Sequence, residues 1–347
     1  MKFLLIQFRQ IGDVILTTPM IRLLKEQVEN ARIDFLTNQA NVSLLNQNPF
    51  LDNIIIYSKI KGNVEFLKLL RSIRSNGYDA VLDFQDTPRS TYCAVFCGAR
   101  YKVTYDTSSR RFFYNTLVTR KVGYATTIRS SLLTPFIPDI DTKTDPPLHP
   151  EIYFSQADQR KIEDLLRRYQ IRPDDFIVTV SPTHRRRTRR WPLDFFYQAI
   201  EHLIRTYNAK VIVTWGPGED EYIRQHPEFS NNNDANLIVD AELNLLGLTV
   251  LTSMVKLHIG NCSAPHHIAT SQHTPTYIIF GSTSMGWCYP SANHHGINRN
   301  LDCQPCNKNV CIYGDAIPCL KEFPFNAIKA DLDQFIISRV LPESLRQ

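Results

Sequence analysis

The chain has 347 residues, of which 43% are hydrophobic and 21% are charged, and its formal net charge is +5. This length and composition are typical of a soluble globular protein with two domains. No apolar run approaches the roughly 20 residues of a membrane span, and the N-terminal residues lack a signal-peptide pattern. These observations exclude a membrane-spanning class, and we expect a cytoplasmic protein.

Strand-like apolar runs alternate with amphipathic helical patterns in the first part of the chain. The predicted strands span residues 2–8, 32–37, 53–58, 79–84 and 101–106. The predicted helices span residues 14–28, 42–46, 64–76 and 90–97. This βαβα order predicts a parallel sheet with helices on both faces.

A polar, proline-bearing segment, residues 139–147, is the predicted linker, and the alternation resumes after it. The later predicted strands span residues 176–180, 210–215, 237–239, 257–260 and 276–280. The later predicted helices span residues 192–207, 220–225, 243–254, 264–271 and 327–340. We therefore expect an α/β protein with domains at residues 1–150 and 151–325 and a C-terminal helix within residues 326–347.

Two segments concentrate positive charge. Residues 100–129 contain seven basic residues and one acid, and five of the six residues 185–190 are arginine. Such segments bind anionic small molecules or anionic surfaces, contact nucleic acid, or form solvated faces. Nucleic acid is disfavoured as a partner, because no aromatic residue interleaves the arginines before Trp191 and the overall charge is low.

Residues 260–269, GNCSAPHHIA, carry the strongest site signal. They lie between two apolar runs and predict a strand that turns directly into a helix. Ser263 is a suitable N-cap and Pro265 suits the first helical turn, so the free N–H groups and the helix dipole favour an anion. A helix cap without a ligand is the alternative.

Three further segments follow predicted strands. Gly12 permits a tight turn after the first strand, and Asp13 occupies an N-cap position from which it either caps a helix or acts as a general base. The arginines of 185–190 either grip a diphosphate or form an exposed basic loop. Glu219, in the segment WGPGE, either accepts hydrogen bonds from ribose hydroxyls or belongs to a plain turn. A dinucleotide fingerprint, G-x-G-x-x-G, is absent from both halves.

In this order the motifs resemble the bacterial heptosyltransferases of glycosyltransferase family 9, which act in lipopolysaccharide core assembly. The resemblance rests on residues 11–14, 83–85 with Arg89-Ser90, 181–192, 215–219, 260–267, and Phe280-Gly281 followed by Trp287. It implies a GT-B fold, in which two Rossmann-like domains with parallel sheets face each other across a cleft and the last helix crosses back to the first domain. It also implies an ADP-heptose donor, a lipid A–Kdo core acceptor and peripheral contact with the inner membrane surface.

The resemblance assigns roles residue by residue. Asp13 is the implied base of an inverting transfer that needs no metal or other cofactor, and Gly12, Arg89 and Arg129 are implied acceptor-binding residues. The implied donor-binding residues are Thr183, His184, Arg189, Glu219, Asn261, Cys262, Ser263, Ala264, Pro265 and His267.

The segment 260–267 departs from the family pattern at two positions, because Cys262 replaces an acid and Ala264 replaces a glycine. Arg189, in the segment 181–192, stands where the family commonly has a lysine. An alternative function is therefore a non-catalytic or altered-donor paralogue that binds a sugar nucleotide or core oligosaccharide.

The eight cysteines divide into core and loop positions. Cys93 and Cys97 are spaced one helical turn apart on an apolar helix, which predicts core packing. Cys303, Cys306, Cys311 and Cys319 form a C-x2-C-x4-C-x7-C pattern. This pattern fits either a structural zinc or iron site or a reduced cysteine-rich loop.

Overall fold

The structure is a computed structural model that describes residues 1–58 and 62–341. The chain divides into two compact units, Met1–Tyr153 and Phe154–Gln347. In its described part, each unit contains one six-stranded parallel sheet. Over the same residues, no helix combines the length and the apolar character needed to cross a membrane.

The first unit builds its sheet in the order β3-β2-β1-β4-β5-β6. Its strands are β1 (Lys2–Ile6), β2 (Arg32–Asn38), β3 (Asn53–Tyr57), β4 (Ala80–Asp83), β5 (Tyr101–Tyr105) and β6 (Thr116–Val118). Its helices are α1 (Ile11–Ile15), α2 (Thr18–Gln27), α3 (Val42–Leu45), α4 (Gly62–Ser75), α5 (Pro88–Phe96), α6 (Ala125–Ser130) and α7 (Ile140–Lys143). Short 3-10 turns lie at 39–41, 111–113 and 131–133.

The two faces of the first sheet bury separate apolar clusters. Side chains alternate along β1, so Phe3 and Leu5 face one side while Leu4 and Ile6 face the other. The first side packs against α2 and the turn 131–133, and the second side packs against α4 and α5. Cys93 and Cys97 of α5 lie in the second cluster, which confirms their predicted core packing.

The second unit repeats the same topology, with the sheet order β12-β11-β10-β7-β8-β9. Its strands are β7 (Ile177–Ser181), β8 (Lys210–Val213), β9 (Leu237–Ile238), β10 (Leu257–Asn261), β11 (Thr276–Ile279) and β12 (His294–Ile297). Its helices are α8 (Gln156–Arg168), α9 (Leu193–Tyr207), α10 (Asp220–Arg224), α11 (Pro227–Ser230), α12 (Leu245–Met254), α13 (Ala264–Ser271), α14 (Pro318–Lys321) and α15 (Phe325–Phe335). Short 3-10 turns lie at 187–189, 285–287 and 314–316, and a π-helical turn lies at 336–340.

The last helix, α15, belongs to the core of the second unit. Leu332 and Phe335 pack in the same apolar cluster as Trp191 and Tyr277. The Tyr277 hydroxyl also donates a hydrogen bond to Asp331 at 2.7 Å. Residues 342–347 lie outside the described part of the chain, and the return of this helix to the N-terminal domain stays a prediction.

The structure corrects the sequence-based elements at a few places. The predicted linker is wrong in part, because residues 140–143 form α7 and Ile140 is buried in the core of the first unit. The predicted helix 14–28 is two helices, since Pro19 has no N–H and starts α2 afresh. The strands β6 and β12 are absent from the prediction, because both are short edge strands: β6 has only three residues, and β12 contains two histidines and a glycine.

Candidate functional site

Asp13 lies on the one-turn helix α1, which follows β1 after a loop of four residues. It is the third residue of that helix, and its Oδ2 accepts a hydrogen bond from the backbone N–H of Gln10 at 3.1 Å. The predicted N-cap position of Asp13 is therefore wrong: Gln10 is the N-cap and Asp13 closes a capping box with it. Gly12 is also inside α1, so the turn it was expected to form is helical backbone.

The other oxygen of the Asp13 carboxylate is paired with Arg129. The guanidinium Nη2 of Arg129 lies 2.6 Å from Asp13 Oδ1, while its Nε donates to the Thr17 hydroxyl and its Nη1 to the Ala125 carbonyl. The Arg129 side chain is 11% exposed and that of Asp13 is 30% exposed. Arg129 therefore fixes the orientation of a carboxylate that remains accessible to solvent.

Gln85, which carried no predicted role of its own, holds the loop that leads to α1. Its Oε1 accepts hydrogen bonds from the backbone N–H groups of Phe8 and Arg9 at 3.0 and 2.9 Å. Asp83, two residues earlier, accepts hydrogen bonds from the N–H of Gln85 and from the Tyr114 hydroxyl. Burial raises the pKa of Asp83 above its ordinary value. The signal for Gln85 was its place directly after the strand that neighbours β1.

Arg89, the third predicted acceptor-binding residue, lies in the first turn of α5. Its guanidinium packs over the ring of Phe66 on α4, 4.9 Å from the ring centre. The described contacts thus bring Arg129 and Gly12 together with Asp13 on and around α1, and place Arg89 against α4.

In the second unit, Asn261 joins the end of β10 to the loop 182–191. Its amide oxygen accepts the backbone N–H of Trp191 at 2.9 Å, and its amide nitrogen donates to the carbonyl of Pro182 at 2.9 Å. Asn261 is fully buried, and Trp191 anchors the same loop through an indole N–H bond to the Phe323 carbonyl. The structure gives Asn261 a positioning role for this loop.

Glu219 organises the end of the next strand, β8. Its Oε2 accepts hydrogen bonds from the Thr183 hydroxyl at 2.6 Å and from the backbone N–H of Gly216 at 3.0 Å. The carboxylate therefore links the turn 215–219 to the loop that begins at Ser181. Two of the predicted donor-binding residues, Thr183 and Glu219, are thereby brought into direct contact.

Arg189 lies in the loop 182–191 and is half-buried. Its Nε is buried, and none of the described residues forms a hydrogen bond with it. Burial, and then the neighbouring Arg186, lower the pKa of this guanidinium from its ordinary value. Cys262 and Cys306 are close enough to interact with it electrostatically. An anion placed here would stabilise this charge.

His184 lies beside Arg189 in the same loop. Its Nδ1 accepts the backbone N–H of Arg186 at 2.9 Å. Burial, followed by the charge of Arg189, lowers the pKa of His184 to about 4. The imidazole is therefore neutral at pH 7 and offers a hydrogen-bonding group that adds no charge to the site.

The helix α13 begins at the end of β10 with Ala264 and Pro265 in its first turn. Ser263 holds the N-cap position, but its hydroxyl donates to the Asn261 carbonyl at 3.3 Å and accepts no hydrogen bond from the helix. The first-turn N–H groups are therefore without a side-chain cap from Ser263. Such donors and the helix dipole form an anion site. The prediction that Ser263 occupies the N-cap position is confirmed, but the expected hydrogen bond from the helix to its side chain is absent.

Cys262 and His267 lie behind this turn and are largely buried. Cys262 belongs to an apolar cluster with Ile278 and Phe280, and burial raises the pKa of its thiol to about 12. His267 stacks on His266, with ring centres 4.7 Å apart. The thiol is thus neutral and lies in apolar surroundings.

The four clustered cysteines line one cavity of about 250 Å³. Cys303, Cys306, Cys311 and Cys319 share its wall with Thr188 and Ser282. Among the residues that the structure describes, no three His, Cys, Asp or Glu side chains are grouped closely enough to hold a metal ion. The sulfur arrangement therefore does not fit a metal as it stands. A structural zinc or iron stays a prediction, which metal analysis of the purified protein tests.

Thr188 connects this cavity to the arginine loop. Its hydroxyl donates to the Lys308 carbonyl at 2.9 Å, and its own carbonyl accepts the N–H of Ser282 at 2.9 Å. A Cβ on Gly281 would lie 2.3 Å from the Thr188 carbonyl oxygen, so this close approach requires glycine. The segment around Gly281 therefore positions the loop that carries Arg189.

Comparisons with known proteins show what this chain is similar to. The model of the family described as Glycosyltransferase family 9 (heptosyltransferase) matches residues 66–317. Lipopolysaccharide heptosyltransferase 3 of Escherichia coli is 26% identical over 295 residues, which cover 82% of this chain and 84% of the relative.

Two solved structures from E. coli are similar over almost the whole chain. ADP-heptose lps heptosyltransferase II has a TM-score of 0.75 at 17% identity and covers 97% of this chain and 99% of its own. Heptosyltransferase WaaC with ADP-2-deoxy-2-fluoro heptose has a TM-score of 0.69 at 15% identity, with coverage of 96% and 99%. These neighbours have the GT-B fold, and the predicted fold class is confirmed.

Proposed function

The chain belongs to glycosyltransferase family 9, and we propose that this glycosyltransferase moves heptose from ADP-heptose to the lipopolysaccharide inner core. The relative named above is a lipopolysaccharide heptosyltransferase, which supports this donor and acceptor. The observation that carries the proposal is the half-buried Arg189, whose Nε is buried without a hydrogen bond to any described residue, in the unit that also holds the uncapped start of α13. Both features favour a bound diphosphate.

The second unit supplies the groups that hold ADP in this proposal. Arg189 and the first-turn N–H groups of α13 bind the diphosphate and stabilise the negative charge that develops on ADP as it leaves. Fixed dipoles and a cation make a metal ion unnecessary for this step. Glu219, oriented by Thr183 and Gly216, accepts hydrogen bonds from the ribose hydroxyls.

The first unit supplies the base. The Asp13 carboxylate removes the proton of the acceptor hydroxyl while that oxygen attacks C1 of the heptose. The bond from C1 to the ADP oxygen breaks, ADP leaves with the bonding pair, and the configuration at C1 is inverted. Arg129 does not take the proton; it holds Asp13 in place through the 2.6 Å ion pair.

The acceptor is proposed to be a lipid A–Kdo core, so the enzyme meets its substrate at a membrane. We expect a cytoplasmic protein in peripheral contact with the inner membrane surface. Nucleic acid is not part of the proposal, in which Arg189 of the segment 185–190 binds the donor diphosphate.

A second candidate function is an altered-donor or non-catalytic paralogue. It is favoured by one observation, the apolar surroundings of Cys262, where the family pattern has an acid. A neutral thiol cannot accept the strong hydrogen bonds that a carboxylate accepts from sugar hydroxyls.

Turnover of ADP-heptose with a purified lipid A–Kdo core acceptor tests the proposal. Release of ADP together with a mass increase of one heptose on the acceptor supports it. Tight ADP binding by calorimetry without any transfer supports the paralogue instead, and absence of ADP binding contradicts both.

A further inference from the structure

The first unit exposes an unusual number of large apolar side chains on one face of its sheet. We name this surface the α4–α5 face. Its large apolar residues, each between 47% and 82% exposed, are Val64, Leu67, Tyr92, Phe96, Phe112, Phe113 and Leu117. Soluble proteins rarely leave so many such side chains in water on one surface unless that surface has a partner.

These residues share a face because of how the sheet is covered. The cluster that contains Leu4 and Ile6 also contains residues of α4 and α5 and Tyr114, so these elements lie on one side. Val118 packs into the cluster on the opposite side, and the alternation of side chains turns Leu117 toward α5. The Tyr114 hydroxyl bonds to Thr91 of α5, which holds the turn 111–113 beside that helix.

The helices α4 and α5 lie side by side along their length. Arg89 covers Phe66 near their N-terminal ends, and a Cβ on Gly98 would meet the Arg74 guanidinium at 2.8 Å near their C-terminal ends. Leu67 is two helical turns before Arg74 and therefore faces α5. By the same spacing Phe96 follows Arg89 and faces α4. Leu67 and Phe96 thus border one groove.

The rim of the α4–α5 face is basic. The exposed cations on or next to these elements are Lys68, Arg71, Arg74, Arg100 and Arg111. Of the nearby acids, Glu65 pairs with Lys68, Asp79 accepts the backbone N–H of Lys2, and Asp86 pairs with Arg110. Asp106 lies beside Arg111 and has one buried carboxylate oxygen without a hydrogen-bond partner among the described residues, so the cations outnumber the acids. The Arg111 guanidinium also lies 5.0 Å from the ring centre of Phe112, so a charged group and an aromatic ring are adjacent on this surface.

We propose that the α4–α5 face docks on an anionic phospholipid bilayer. Aromatic and aliphatic side chains enter the headgroup boundary, while the arginines meet the lipid phosphates. A second copy of the chain is disfavoured as the occupant, because a two-fold contact through this face would set its arginines against each other. The assignment deepens the proposed function by naming the surface that brings the enzyme to a membrane-borne acceptor.

Sedimentation with lipid vesicles, without donor or acceptor, tests the assignment independently of the transfer reaction. The protein should bind vesicles containing phosphatidylglycerol, fail to bind pure phosphatidylcholine, and release as salt rises. Two double variants, Arg71→Glu with Arg111→Glu and Phe112→Ser with Phe113→Ser, should each weaken binding at least about tenfold. All four side chains are exposed, so the variants should fold, and unchanged ADP affinity by calorimetry checks this.

Matched controls lie on the second unit. Arg160→Glu with Arg172→Glu repeats the charge change, and Val310→Ser with Tyr313→Ser repeats the loss of exposed apolar area. Equal losses in the controls overturn the assignment, as does release by inorganic phosphate at constant ionic strength, which would make a small anion the ligand. Absence of vesicle binding, with a dimer that the α4–α5 variants dissociate, would instead assign the face to a second copy.

Discussion

Asp13 in the first unit and Arg189 in the second are the charged groups on which the proposed reaction depends, and their surroundings differ. Both oxygens of Asp13 are engaged, one by Arg129 and one by the Gln10 N–H. The Nε of Arg189 is buried, with no hydrogen bond from any described residue and with Arg186 as a like-charged neighbour. The protein thus holds Asp13, which must keep one orientation, by hydrogen bonds to both carboxylate oxygens. It leaves Arg189, which must bind an anion, without an anionic partner among the described residues.

The largest expected effect is on kcat and comes from removing the negative charge of Asp13. Asp13→Asn should lower kcat by about 10²–10⁴, because the base is lost. An amide cannot accept hydrogen bonds from both Gln10 and Arg129, so the free energy of unfolding should fall by about 1–3 kcal/mol. Steady-state transfer assays and urea unfolding measure the two quantities.

The control for this variant disturbs the same network and keeps the carboxylate. Thr17→Val removes the partner of Arg129 Nε and should destabilise the fold by a similar amount while keeping most of the activity. Equal losses of activity in both variants would show that Asp13 acts through the stability of α1 alone.

Replacing Arg189 should weaken ligand binding and leave stability intact, unlike the replacement of Asp13. Arg189→Ala should weaken ADP binding by about 1.5–3 kcal/mol, or roughly 10- to 150-fold, because a charged hydrogen-bond donor to the diphosphate is lost. It should do so without loss of stability, because the buried Nε has no hydrogen-bond partner among the described residues. Calorimetry with ADP and with adenosine measures this, and adenosine affinity should not change. Arg190→Ala, in the same loop but stacked on Tyr222 at 4.0 Å, is the matched control. A loss equal to that of Arg189→Ala would indicate a general charge effect.

Much of this arrangement was available from the sequence. The order of apolar runs predicted the α/β class and most of the strands, because central strands such as β4, β7 and β10 are buried on both faces and read as continuous apolar stretches. The segments around Asp13, Arg189 and Ser263 were found because each follows such a strand. Spacing alone places a residue at the end of a strand but does not say which donor its side chain meets.

The missed features depend on contacts between distant parts of the chain. Arg129 is 116 residues from Asp13, and nothing local in residues 125–130 indicates that it completes an ion pair. The roles of Gln85 and Asn261 likewise arise from loops that only the folded sheet brings together. The first turn of α1 differs from the prediction because Gln10, a poor N-cap by type, takes that position when Asp13 closes the capping box.

A substitution at Cys262 adds a charge near Arg189 and should change ligand affinity by a smaller factor than the loss of Arg189 does. Cys262→Asp should tighten binding of ADP-heptose by about one to two decades and leave ADP affinity unchanged, if a carboxylate there reaches the sugar hydroxyls. Calorimetry with both ligands decides the outcome. Cys262→Asn is the uncharged control, and unchanged or weaker ADP-heptose binding by Cys262→Asp would indicate a site rebuilt for another donor.

The smallest effect concerns His184, the neutral neighbour of Arg189. Its pKa is about 4 in the folded protein, against an ordinary value of about 6.5, because burial and Arg189 disfavour the charged form. The unfolded chain therefore binds this proton first as pH falls, so the stability contribution is complete above about pH 6.5 and is lost progressively toward pH 4. His184→Asn retains an acceptor for the Arg186 N–H and removes the titration. Urea unfolding from pH 7 to pH 4 should show a shallower loss of stability for this variant than for the wild type. A slope equal to that of the wild type in His184→Asn would contradict the assignment to the pair of His184 and Arg189.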